Sequence, residues 1–194
     1  MARGNQAMAR RKRAHRQGPR LVRVRLKVFL SYAHRDEKLR DEVEKHLSVL
    51  RRSKLIATWH DHRIAPGKNI DQEIADALAT SDLILLLVSP DFVNSDYCYL
   101  REMNCALKRH KNGKARVIPI ILRPVDWSTT PIGKLLALPR DGKPVTSWNK
   151  RDEALLDVAR GVRRAVEEMQ SLTLFGAPGQ AKQAVPSRGA GKSR

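Results

Sequence analysis

The run Leu83–Val88, LILLLV, constrains this chain more than any other stretch. Six consecutive apolar residues stop at a turn signal, Ser89-Pro90. The run is too short for a buried helix and lacks the alternation of a strand with one wet face. It therefore predicts a strand covered on both sides, as in the middle of a parallel sheet. Such a strand needs helices above and below it, which the rest of the chain must supply. A polar loop follows it, then a helical stretch carrying one carboxylate, Glu102. Ligands of open α/β sheets bind in the crevice beyond the carboxyl ends of the strands, so Glu102 falls where chemistry is usually done.

From Leu26 the stretch LKVFLSYAH reads as a first strand ending at a small polar turn. Arg35 to Arg52 follows, with Leu39, Val43, Leu47 and Leu50 at helical spacing and Asp36 at its start, where a carboxylate is favourable. Leu55 to Trp59 is a second strand, and the Pro66-Gly67 pair turns the loop after it. Ile70, Ile74, Ala77 and Leu78 mark a helix leading into the central strand. Arg116 to Leu122 is a further strand whose Pro119 lacks a ladder donor and so points to an edge. Residues 123–143 show no period. Pro144 to Trp148 is the candidate for a fifth strand, and Asp152 to Met169 closes the chain as an amphipathic helix. Strands alternating with helices predict a flavodoxin-like, doubly wound, mostly parallel five-stranded sheet with helices on both faces, in the order 2-1-3-4-5.

The formal charge of +18 suggests nucleic acid until it is divided by position. Residues 1–27 hold ten Lys or Arg and residues 173–194 hold four, with no acid in either, so 28–172 is nearly balanced at +4. The division expected is a disordered basic arm over 1–25, one domain over 26–172 and a flexible basic tail over 173–194. The tails offer at most weak contact with nucleic acid or an anionic surface. No apolar run is long enough to span a membrane, and the basic start lacks the apolar stretch of a secretory signal. Cys98 and Cys105, seven apart on one predicted helix, stand about 10.5 Å apart along its axis. A disulfide tolerates roughly 7 Å between Cα atoms, so both are expected to be thiols, as in a cytoplasmic protein.

There is no G-x-G-x-x-G, P-loop, H-E-x-x-H or C-x-x-C. His60 and His62 flank Asp61 but lack a visible third ligand, so no metal is expected. Asp36 and Asp61 follow the first two strands and either share the crevice with Glu102 or cap local turns. On a helical wheel Leu100, Met103 and Leu107 share a face that excludes Glu102. Glu102 is then either a solvated carboxylate near a helix N-terminus or a catalytic one.

Taken together, these landmarks resemble a Toll/interleukin-1 receptor (TIR) domain of the bacterial single-domain type. The matching pieces are Val28-Phe29-Leu30-Ser31-Tyr32, the loop Asp61 to Gly67, Leu85 to Pro90 with Phe92, Ser95-Asp96-Tyr97-Cys98 leading to Glu102, Val117 to Leu122, Trp127, and Trp148-Asn149. The resemblance implies self-assembly, or contact with other TIR domains, through the loop residues Asp61, Arg63, Ile64, Ala65, Pro66 and Gly67. It also implies, as in many members, cleavage of NAD to nicotinamide and ADP-ribose or a cyclic form, in defence signalling. NAD is then substrate and no cofactor is needed. Glu102 matches the catalytic glutamate; Ser31, Tyr32, Asp36, Tyr97, Cys98 and Trp127 are the expected substrate-binding residues. Cys98 stands where active members often carry tryptophan, with Tyr97 beside it as a substitute ring. Trp127 matches a ring that stacks on nicotinamide in an NAD-cleaving animal relative. The rival readings are a non-catalytic TIR interaction module and a nucleoside deoxyribosyltransferase-like enzyme. Ile64 and Ala65 are expected to stand exposed at the loop tip.

Overall fold

A computed structural model describes residues 24–61, 64–95 and 101–175. Strands β1 (Leu26–Ser31), β2 (Ile56–Trp59), β3 (Leu83–Val88) and β4 (Arg116–Ile121) pair in parallel in the order β2-β1-β3-β4. All six residues of β3 are buried. Its period of two exists but is invisible in the sequence, because both faces are apolar. Leu83, Leu85 and Leu87 enter one core, whereas Ile84, Leu86 and Val88 enter the other. Burial of each such side chain contributes about 1.5–3 kcal/mol.

Helices α1 (Glu37–His46), α2 (Ser48–Arg52) and α6 (Arg151–Phe175) cover the first face, through Val43, Leu47, Leu50, Leu155, Val158 and Val162. Helices α3 (Ile70–Thr80), α4 (Pro90–Asn94) and α5 (Asn104–Lys111) cover the second, through Ile74, Leu78, Phe92 and Ala106. The sheet is thus doubly wound, as the alternating pattern predicts. Ser89 caps α4, its hydroxyl accepting from the Phe92 N–H at 3.0 Å, with Pro90 in the first helical position.

Among the described residues the sheet has four strands rather than the expected five. Pro144 to Trp148 holds a 3-10 turn, Val145–Ser147, rather than a strand. The place beside β4 is taken by Leu138, whose N–H donates to the Pro119 carbonyl and whose carbonyl accepts from Ile121 N–H, both at 2.8 Å. Pro119 turns its nitrogen to that outer edge, where no inner ladder bond is lost. Backbone helix in α6 runs on through Phe175, past the Met169 expected as its end. Residues 1–23 of the expected basic arm and the tail beyond 175 lie outside the described residues, while Arg25, at the arm's end, donates from Nε to the Ile56 carbonyl at 3.1 Å. Among the described residues no helix is long and apolar enough to cross a membrane.

Candidate active site

The sheet order reverses between β1 and β3, and a cavity of about 430 Å³ opens beyond their carboxyl ends. Phe29, Tyr32, Asp61, Ile74, Asp91 and Glu102 are among its lining residues. This is the topological switch point at which such sheets bind ligands, and the volume lies in the range of small-molecule sites, about 300–1,000 Å³.

Glu102 sits in a wide π-helical turn, 101–103, that leads into α5. It does not stand as a solvated carboxylate there, since only 7% of it is exposed. Its carboxylate accepts a hydrogen bond from the Ser31 hydroxyl at the end of β1. Burial pushes the Glu102 carboxyl up to about 7; the Ser31 bond opposes the rise and the nearby Asp61 charge adds to it. Neither neighbouring arginine neutralises it. Arg101 faces Asp71 at 3.8 Å, and Arg109 spends its N–H groups on the carbonyls of Ala79, Ser81 and Lys114. Among the described residues no Lys or Arg stands within ion-pair distance of Glu102. A buried carboxylate held this way costs stability, and such costs concentrate at functional sites.

Tyr32 donates its phenol proton to Asp61 Oδ1 at 2.6 Å. Burial, and then this bond, push the Tyr32 phenol far up, so it remains protonated. The outer Asp61 oxygen meets the exposed His34 ring at 3.7 Å, and the Asp61 carbonyl accepts from Ile64 N–H at 2.8 Å. Asp61 therefore joins the cavity to the base of the 61–67 loop.

Ser31, Tyr32, Asp61 and Glu102 are thus brought together. Asp36 is not a lining residue. It makes no side-chain cap to its helix, and its carboxylate is buried, accepting from the Ser89 hydroxyl and from Arg123 Nε at 2.8 Å. Arg123 in turn bonds Asp91, so this network fixes the cavity wall from behind. Trp127 does not line the cavity; half-buried, it packs against the second core and lies over Gly142. Ile64 is also half-buried against that core, so the exposed tip is Ala65-Pro66-Gly67, with Gly67 at φ +86°. Arg63, Tyr97 and Cys98 lie outside the described residues, and Cys105 is an exposed free thiol. Asp91 was missed at the sequence level, although its place directly behind Ser89-Pro90 marks it as a residue beyond the end of the central strand.

Residues 28–156 match the family model of the TIR domain. The chain belongs to the TIR-domain family. An uncharacterized protein of Sinorhizobium fredii, y4lF, is 58% identical over 138 residues, which cover 71% of this chain and 43% of that protein. This TIR chain therefore spans less than half the length of that relative. The crystal structure of the TIR domain of the Toll-related receptor TRR-2 from Hydra magnipapillata superposes with a TM-score of 0.53. It is 22% identical and covers 72% of this chain and 97% of its own, a likeness of fold.

Proposed function

We propose that this TIR domain is an NAD hydrolase that cleaves the nicotinamide–ribose bond, with Glu102 as its catalytic carboxylate. One observation carries the reading: Glu102 is buried at the switch-point cavity with a hydroxyl partner and, among the described residues, no Lys or Arg partner. Of the aspartates that also line the cavity, Asp91 is paired with Arg35 and Arg123, and Asp71 faces Arg101. Glu102 is thus the buried carboxylate there with no Lys or Arg partner among the described residues, and it favours a cationic ring beside it. The pyridinium of NAD is such a ring, while the pyrophosphate is better placed at the mouth.

The chemistry suits a single carboxylate. Breaking the C1′–N bond sends its electron pair to the pyridinium nitrogen and releases neutral nicotinamide. No acid need protonate the leaving group, unlike ordinary glycoside hydrolysis with its two carboxylates. The ribose left behind is oxocarbenium-like, and an anionic Glu102 stabilises it by charge and by hydrogen bonds to ribose hydroxyls. Water then adds its oxygen to C1′, and its spare proton passes to Glu102 and on to solvent. Ser31 holds the Glu102 carboxylate in place through these steps.

Assembly through the loop tip is part of the same reading. Pro66 fixes φ and Gly67 sets the turn, so the exposed tip is stiff and loses little entropy on docking. A head-to-tail contact of this kind generates open filaments. The test is to incubate concentrated protein with NAD and measure released nicotinamide, with Glu102→Gln in parallel. Release by the parent and loss in the variant is the expected result. Absence of release at every concentration would leave a non-catalytic interaction module as the better reading.

A further inference from the structure

Arg40 is a full-length cation inside the protein. It lies on α1 with 2% of its surface exposed, among the largest fully buried side chains. A buried guanidinium is costly unless its surroundings are built for it. One of its terminal nitrogens donates to His60 Nδ1 and the other meets Asp41 at 3.0 Å and Glu37 at 3.3 Å. Because guanidinium only donates, His60 Nδ1 must accept, which leaves its Nε2–H facing Glu44 Oε2 at 3.4 Å. Glu44 is itself anchored by the Thr58 hydroxyl on β2 at 2.5 Å. The guanidinium is thus fixed from α1 and from β2.

What it does with that rigidity is press on one ring. Its central carbon stands 4.7 Å from the centroid of Tyr32, within cation–π range. The same Tyr32 points its hydroxyl at Asp61, 2.6 Å away. A tie between α1 and β2 alone would need no contact with Tyr32.

We propose that Arg40 is a positioning residue for the candidate active site. Stacked on Tyr32, it aims the phenol at Asp61, and so fixes a carboxylate that lines the same cavity as Glu102 and starts the 61–67 loop. Arg40 does not itself line the cavity and reaches it only through Tyr32, which does. Its catalytic consequence rests on the proposed NAD cleavage, but its geometric content does not, and the two are tested separately.

The geometric test is a mutant cycle read by NMR on the full chain carrying tyrosine labelled with 13C at the ring carbon that bears the hydroxyl. The chain has three tyrosines, and the Tyr32 signal is the one absent from Tyr32→Phe. In the parent, Asp61→Ala should shift that signal because the phenol loses its acceptor. In an Arg40→Met background the phenol is no longer aimed, and Asp61→Ala should leave the signal where it was. An equal shift in both backgrounds would overturn the proposal. Should Arg40→Met fail to fold, Arg40→Lys keeps the charge but loses the flat stacking surface, and the Asp61→Ala shift should shrink by more than half; an undiminished shift again overturns it.

The activity arm uses the same pairs. If Arg40→Met and Asp61→Ala each lower kcat/KM for NAD about tenfold, the double variant should also lose about tenfold rather than a hundredfold, because both break one chain of contacts. Multiplying losses would show that Arg40 acts independently of Asp61 and would overturn the proposal. A parent that releases no nicotinamide would overturn the hydrolase reading alone, and the NMR cycle would then decide the role of Arg40.

Discussion

Glu102→Gln should make this protein more stable and less active, and the gain should depend on pH in a fixed direction. The fold raises the carboxyl from 4.5 to about 7, chiefly by burying it. Folding therefore takes up a proton between those values, and stability falls as pH rises through that window. Below about pH 4.5 both states are protonated and the penalty is absent. Above about pH 7 it is complete, and at 1.36 kcal/mol per pH unit it reaches ~3 kcal/mol. Glutamine is close to isosteric, keeps Ser31 as a partner and never ionises. At about pH 4 the two proteins should melt alike. At about pH 8 the variant should melt ~6–12 °C higher, at roughly 2–4 °C per kcal/mol for a domain of this size. Thermal unfolding followed by circular dichroism at the two pH values measures this. A variant less stable at pH 8, or a difference that ignores pH, would refute a buried, unneutralised Glu102. In the same samples nicotinamide release should fall at least ~10²-fold, the usual cost of removing one electrostatic stabiliser.

If the Glu102 carboxylate is the active form, as proposed, kcat/KM for NAD should rise with pH to a plateau with its midpoint near 7. Ser31→Ala, which removes the hydroxyl that favours the anion, should move that midpoint upward; a flat profile, or a downward move, would count against the assignment. Specific activity of the parent should climb steeply with protein concentration, and Ala65→Asp should abolish the climb while circular dichroism stays native. Ala65 is the better probe than Ile64, which is half-buried. A chain trimmed to residues 24–175 should melt within a few degrees of the full chain, and a large drop would show that the basic ends pack on the domain.

The layered fold was legible because apolar periodicity reports burial directly. Leu83–Val88 could only be a strand covered on both faces, and the structure buries all six residues. The failures share a cause: each depended on which neighbour a residue meets across the fold. Pro144 to Trp148 has strand-like residues, but Leu138 reaches the β4 edge first. Ile64 reads as exposed from its polar flanks, yet it folds back on the second core. Glu102 falls off the apolar face of an ideal helix, and the π turn before α5 carries it inward to Ser31.

Arg40 shows where a signal was present and unread. Its spacing with Val43, Leu47 and Leu50 puts it on the buried stripe of its helices, and it is Leu39, the expected core residue, that stays half-buried. An arginine on a core stripe conflicts with its own hydrophobic pattern, and such conflicts in a folding sequence concentrate at functional sites. The same logic applies to Glu102, a carboxylate where burial opposes its charge. Both violations bear on one pair of residues: Arg40 stacks on Tyr32, Tyr32 donates to Asp61, and both line the same cavity as Glu102. Two independent costs converging on one cavity are hard to attribute to packing. Under the proposed hydrolase reading, Glu102 would hold the anion ready and Arg40 would keep its neighbours from moving.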